Sequence, residues 1–317
     1  MLDVIFDTDP GIDDAMALLF LARARRVRLL AITTVFGNAT IGTATRNALV
    51  LADRFGLAVP VAEGAAGPLV GEADPPPTFV HGENGLGNID ITPSLRRVDP
   101  RPAHRLIIDL VRANPHQITL IAVGRMTNLA LALRDAPEIA GLVKQVVIRG
   151  GAFGRNGHTG NVTPVAEANI WGDPVAADVV FGAAWPMTVA GLDVTQQTIM
   201  TEAFLADLAA NGGEDGRFMR AISRFYQDFH RTSAGLEGFY VHDSSAVAAA
   251  LRPDLFTGVT GAIRVVPNGI AIGQTILKPD GRTYPPGPWD NRPSHTVLTG
   301  VQSAEVIALY RDTLLGA

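Results

Sequence analysis

Four aspartates fall within eight residues near the start of the chain: Asp7, Asp9, Asp13 and Asp14, in the stretch DVIFDTDPGIDDAMAL. Carboxylates this close repel one another unless a positive centre sits among them. A helix N-terminus supplies part of that charge, worth about 0.3–1 kcal/mol per anion. A hard divalent cation supplies more, since Ca²⁺ and Mg²⁺ take carboxylate and carbonyl oxygens. The simpler reading is an acidic helix start with a capping Asp and no ligand. Two further segments carry chemistry. In GNVTPVAEAN, Glu167 and Asn169 lie two apart and would share one side of an extended segment. With Asn161 they make an amide–carboxylate–amide set that suits a polyol, although a polar surface loop would look the same. His242-Asp243 opens an alanine-rich helical stretch. There Asp243 is either an N-cap or, with an ion near Asp9, a distant carboxylate ligand, and His242 beside it could donate a proton.

These residues need elements to position them. Val4-Ile5-Phe6 reads as a buried strand, Pro10-Gly11 as a turn, and Met16, Leu18, Leu19 and Leu21 recur at helical spacing. Residues 29–35 (LLAITTV) form a second strand, 43–55 a helix and 59–62 a short strand. The alternation resumes with a helix at 106–113 and a strand at 118–123, followed by a helix at 129–134. A strand at 143–148, a glycine-rich loop at 150–161, a helix at 174–181 and a strand at 187–192 complete that half. This pattern predicts a parallel sheet flanked by helices, in one α/β domain over 1–317. Residues 202–229 are helical with a break at Gly212-Gly213, and 242–251 are helical. Short strands are expected at 261–266, 270–276 and 296–298, a closing helix at 301–315, and an exposed proline-rich turn at 279–293. In open α/β sheets ligands bind beyond the carboxyl ends of the strands. Asp9, Asn38, Thr127-Asn128 and the loop to Asn161, Glu167 and Asn169 all follow strands in this way. Singly, Asn38 reads as a turn residue and Thr127-Asn128 as a helix cap; jointly they describe one polar crevice.

Composition narrows the chemistry. The formal charge of −5 gives no sign of a nucleic-acid or anionic-membrane surface. No cysteine is present, which excludes disulfides, thiolate metal sites and a Cys nucleophile. Met1-Leu2 leads straight into the first strand and no run of about 20 apolar residues occurs, so a soluble cytoplasmic protein is expected. The long loop at 64–88 carries His81-Gly-Glu-Asn-Gly-Leu-Gly, but no strand precedes it and the glycine spacing is not that of a dinucleotide site. Asp7-Thr-Asp9 after a strand mimics the aspartate pair of haloacid-dehalogenase-like phosphatases. That chemistry also needs a lysine followed by an acidic pair, which neither Lys144 nor Lys278 supplies.

DTDPGIDDA, Gly37-Asn38, Thr-Asn-Leu-Ala at 127–130, Gly-Asn-Val-Thr-Pro at 160–164, Ala-Glu-x-Asn at 166–169 and His242-Asp243 together resemble the nucleoside hydrolases, the inosine–uridine-preferring ribohydrolases. The resemblance runs through nearly the whole chain in the family's order. It implies the nucleoside hydrolase fold, a single α/β domain with a Rossmann-like, mostly parallel sheet flanked by helices, and calcium-dependent hydrolysis of the N-glycosidic bond of ribonucleosides, releasing ribose and a purine or pyrimidine base. Asp9, Asp14 and Asp243, with the Thr127 carbonyl, then correspond to ligands of Ca²⁺, and Asp9 to the general base for the attacking water. Asp13, Asn161, Glu167 and Asn169 correspond to residues holding the ribose hydroxyls, with Asn38 also at the site. His81 and His242 match positions near the nucleobase, His242 being the candidate acid for the leaving group. A homodimer or homotetramer is implied as well. Two departures stand out: Arg125-Met126 precede Thr127 where the family often has Pro, and Ser244-Ser245 follow His242-Asp243 where it often has Pro-Cys. Trp171 and the segment Glu237-Gly-Phe-Tyr240 could stack on a base or simply be core. The competing reading is a non-catalytic ribose- or nucleoside-binding protein on the same fold, which would be expected to lose Asp9 or a metal ligand.

Overall fold

The structure is a computed structural model and describes residues 1–316. The first half alternates strand and helix: β1 (Leu2–Thr8), α1 (Ile12–Arg23), β2 (Val27–Thr34), α2 (Ile41–Arg54) and β3 (Val61–Ala62). A single helical turn, α3 (Thr78–His81), interrupts the long loop before α4 (Ala103–Ala113), β4 (Ile118–Ala122), α5 (Thr127–Asp135) and α6 (Ile139–Leu142). Then come β5 (Gln145–Arg149), α7 (Ala168–Gly172), α8 (Pro174–Phe181), β6 (Met187–Ala190) and α9 (Leu192–Thr195). A small hairpin of β7 (Ile199–Met200) and β8 (Phe239–Tyr240) brackets α10 (Glu202–Asn211) and α11 (Gly213–Ala234). The chain ends with α12 (Asp243–Leu251), β9 (Phe256–Val265), β10 (Thr275–Pro279), β11 (His295–Val301) and α13 (Ser303–Leu315).

Nine strands form one sheet in the order β10-β9-β11-β6-β5-β4-β1-β2-β3. All neighbours pair in parallel except β9, which runs antiparallel to both β10 and β11. Side chains alternate across β1: Val4 and Phe6 enter the core on one face, Ile5 the core on the other. The first core is closed by α1, α2, α11, α12 and α13, the second by α4, α5 and α8. Both faces are covered, which is why the central strands read as continuous apolar runs.

Three features position the site. The strand order reverses between β1 and β4, so the loops after these strands splay apart at a topological switch point. Ile12 to Leu21 of α1 are buried on every side, so its first turn is carried inside the protein with its two acids. Alanine-rich α12 packs against α1 and β5, which delivers Asp243 beside them. Among the described residues no helix is long and apolar enough to cross a membrane.

Two expectations need correction. The strand expected at 270–276 begins only at Thr275; Ile270 stands fully exposed in a turn, because its apolar side chain has no sheet neighbour to meet. Residues 167–169 are not an extended segment. Only Glu167 is extended, and Ala168 starts α7 with the Glu167 carboxylate as its cap.

Candidate active site

The acids converge as their spacing suggests. Asp14 closes the turn after β1: its Oδ1 accepts from the Thr8 hydroxyl at 2.5 Å and from Asp9 N at 3.2 Å. Its Oδ2 accepts from Gly11 N at 2.9 Å and from Asn38 Nδ2 at 2.8 Å. Asp9 accepts from Asn38 N through Oδ2 at 2.8 Å, while its buried Oδ1 has no protein partner. The surrounding backbone is tight. A Cβ on Gly37 would lie 1.8 Å from Asp9 Oδ2, and one on Gly124 would lie 2.7 Å from Asp9 Oδ1. Asn38 thus links the end of β2 to both acids, well beyond a turn role.

Asp13, Asp14 and Asp243 each offer an oxygen within 4.8 Å of the other two, although they come from opposite ends of the chain. Burial pushes all three carboxyls up, and so does repulsion among them, of Asp14 by Asp13 and of Asp243 by Asp13 and Asp14. Asp9 is likewise pushed well up, first by burial and then by Asp14. Among the described residues three buried carboxylate oxygens are without hydrogen-bond partners: Asp7 Oδ2 on β1 and, at these acids, Asp9 Oδ1 and Asp13 Oδ1. A hard divalent cation fits this set, since it supplies the missing partner to oxygen donors and offsets their repulsion. Thr127 is buried at the head of α5, its hydroxyl donating to Asp173 Oδ2 at 2.7 Å.

Beside the acids lies a cavity of about 480 Å³. Asp13, Asn38, His81, Asn161, Asn169, His242 and Asp243 line it, so seven of the residues expected from sequence meet there. Asp9 and Asp14 sit behind that lining, both almost fully buried. Glu167 is also behind it, with every position engaged: Oε1 pairs with Arg149, and Oε2 accepts from Gly151 N at 3.0 Å, Asn169 N at 3.0 Å and Ile170 N at 3.2 Å. Asn169 faces the cavity because that cap starts α7, and its Nδ2 donates to Arg149 O at 3.1 Å.

Burial pushes both histidines toward the neutral form. Burial lowers His81 to about 4, and its Nδ1 accepts from Ile12 N at 3.2 Å, so its proton is on Nε2. Burial and then Arg149 hold His242 well below the ordinary range; its Nδ1 and Thr195 Oγ1 are 2.8 Å apart. Tyr240 lines the cavity, whereas Trp171 does not: its indole donates to Asp74 Oδ2 at 2.9 Å.

Sequence reasoning missed the wall supplied by α11. Tyr226, Phe229 and His230 recur at helical spacing and line the cavity, with Tyr226 stacked on His81 at 5.5 Å. The signal was present in Tyr226 and His230, polar-tipped aromatics on the otherwise apolar stripe of an amphipathic helix. Arg149 was missed as well. It ends an apolar strand, where a charge is unexpected, and it is buried between Glu167 and, at 3.4 Å, Asp243.

A parallel sheet with buried acids and a polar cavity at its switch point defines an α/β enzyme that works on a small polar ligand. The profile of the inosine-uridine preferring nucleoside hydrolase family matches residues 4–308. The chain is 42% identical over 275 residues to uridine nucleosidase 1 of Arabidopsis thaliana, covering 86% of this chain and 81% of that one. It is 39% identical over 278 residues to the inosine-uridine preferring nucleoside hydrolase of Leishmania major, covering 86% and 87%. Among solved structures, a plant nucleoside hydrolase, the PpNRh1 enzyme, superposes with a TM-score of 0.96 at 38% identity, covering 100% of this chain and 99% of that one. The chain belongs to the inosine-uridine preferring nucleoside hydrolase family and is a nucleoside hydrolase.

Proposed function

We propose that the protein hydrolyses the N-glycosidic bond of ribonucleosides with bound Ca²⁺, giving ribose and a free base, and that uridine is among its substrates. The observation that carries this reading is the unpartnered, buried Asp9 Oδ1 beside three further acids and a cavity of nucleoside size. The names of the relatives support the substrate class. Asp9, Asp14 and Asp243, with the Thr127 carbonyl, would hold the ion. Bound there, a hard cation supplies Lewis acidity toward a water and toward sugar oxygens.

This chain's own residues do the rest. Asp13, Asn161 and Asn169 present a carboxylate and two amides to the ribose hydroxyls, a set that accepts and donates as adjacent hydroxyls require. Asp9 takes the proton of the attacking water through its free oxygen. The glycosidic bond opens through an oxocarbenium-like state, as in O-glycoside hydrolysis, and the surrounding carboxylates stabilise the positive charge on the ring. Tyr226, Phe229, His230 and Tyr240 supply flat faces for the base. Burial favours the neutral form of His81 and His242, so His242 assists departure by hydrogen bonding to the base, which leaves as an anion and takes up a proton from solvent. Glu167 acts on the sugar through Asn169 and Arg149.

Incubation with inosine, uridine and p-nitrophenyl riboside, with and without chelator, tests the reading. Base release that chelator abolishes is expected. Binding with no base release, indifferent to chelator, would overturn it in favour of a nucleoside-binding protein. The same reading includes a cytoplasmic location and a homodimeric or homotetrameric assembly, which cell fractionation and analytical ultracentrifugation would check.

A further inference from the structure

Arg149 enters the reading above only as the partner of Glu167, yet it touches both halves of the site. It is the last residue of β5, its side chain is only 8% exposed, and it lines the cavity. Nη1 pairs with Glu167 Oε1, whose other oxygen caps the helix that presents Asn169. Nε stands 3.4 Å from Asp243 Oδ1, one of the three clustered acids. A guanidinium is the one side chain able to fork between two carboxylates while keeping its charge under burial. Among the described residues no other basic side chain is paired with this cluster except His81, whose Nδ1 is 4.0 Å from Asp13 Oδ1.

We propose that Arg149 is a positioning residue that ties Glu167 on the sugar side to Asp243 on the ion side, and that its charge keeps the divalent site weaker than its acids alone would make it. The inference rests on the proposed function only in taking the acid cluster as an ion site and the cavity as a ribose site. The physical basis is direct. A fixed positive charge a few ångströms from a ligand carboxylate repels a cation bound there and competes for the same oxygens. In exchange, the site is held together in the ion-free protein, with the acids partly neutralised and Glu167 already in place.

Calcium titration calorimetry on chelator-stripped protein, paired with steady-state kinetics on uridine at saturating Ca²⁺, tests this. Arg149→Met is expected to bind Ca²⁺ roughly tenfold more tightly, or better. Its KM is expected to rise about tenfold with a smaller change in kcat, because Glu167 loses its tether. Arg149→Lys keeps the charge but cannot fork, so it should keep near wild-type calcium affinity and still raise KM. If Arg149→Met does not fold, Arg149→Gln and Arg149→Lys carry the same comparison. Unchanged calcium affinity and KM in folded, charge-removed variants would overturn the inference, even if melting temperatures fall. A wild-type protein that neither takes up Ca²⁺ nor releases base fails at the earlier step and overturns the proposed function itself.

Discussion

Asp9 is the residue on which the chemistry turns, because one of its oxygens is fixed and the other is free. Asn38 N holds Oδ2, and Gly37 and Gly124 press against the carboxylate so closely that it has one orientation. Asp9→Asn keeps the shape and removes the base. Its kcat should drop by roughly 10²–10⁴-fold. Its melting temperature should hold or rise, since one buried negative charge leaves a repelling cluster. Steady-state kinetics with differential scanning fluorimetry would check both, and near-wild-type turnover would remove Asp9 from the mechanism. Gly37→Ala tests orientation alone. Its Cβ would meet Asp9 Oδ2 at 1.8 Å, so carboxylate or backbone must move. A displacement of that kind should lower kcat about 10²-fold while circular dichroism stays native. Glu167 teaches the complementary lesson. Its type was legible as part of a sugar-binding set, but its place was not. Sequence spacing cannot reveal that the carboxylate caps its own helix and pairs with Arg149, so that both oxygens are engaged before any ligand arrives.

At the scale of elements, the strands and helices around the site were largely legible, because the covered faces of a parallel sheet demand long apolar runs and the helices between them show a clear period. The connections were less so. Asn128 reads as a helix cap after β4, yet α5 begins without a side-chain cap and Asn128 reaches across the sheet end instead. Its Nδ2 donates to Asp7 Oδ1 at 2.8 Å and to Thr34 O at 2.9 Å, and its Oδ1 accepts from Ala65 N at 3.0 Å. One amide therefore joins β1, the end of β2 and the start of the 64–88 loop, partnerships distant in sequence and invisible to local pattern. The same holds for Asp173, which takes Thr127 Oγ1 and Leu69 N and so pins that loop to α5. Asn128→Ala would leave the buried Thr34 carbonyl and Ala65 amide short of a partner. A loss of about 2–4 kcal/mol is expected, read from the urea midpoint at unchanged slope. A shift under half a kcal/mol would mean that solvent replaces the amide freely.

For the whole molecule, the sequence pointed to an acid cluster needing a cation, and the fold explains why the need is acute: four carboxylates lie buried against one another at the sheet's switch point. What stayed hidden was the internal counter-charge, since Arg149 closes an apolar strand and nothing in the local pattern names Glu167 or Asp243 as its partners. The ion's contribution to stability should therefore depend on pH with a definite sign. In the ion-free protein, burial raises the carboxyls of Asp9, Asp13, Asp14 and Asp243 above their ordinary value of 3.8, and repulsion from neighbouring acids adds to it at Asp9, Asp14 and Asp243. A group raised on folding contributes stability that is present below its unfolded pKa and is lost as pH rises through its folded pKa. The ion-free form is thus penalised increasingly from about pH 4 upward. The buried histidines act the other way. His81 is lowered from 6.5 to about 4, so its contribution is present above 6.5 and is lost as pH falls toward 4. That second effect is largely shared by the ion-bound and ion-free forms and cancels in their difference. The gap in melting temperature between protein in excess Ca²⁺ and protein in chelator should therefore be widest near pH 8 and close progressively toward pH 4, as protons replace the ion on the acids. Scanning fluorimetry across that range at fixed free calcium would measure it. A gap that stays constant with pH would place the stabilising ion on groups other than these four aspartates.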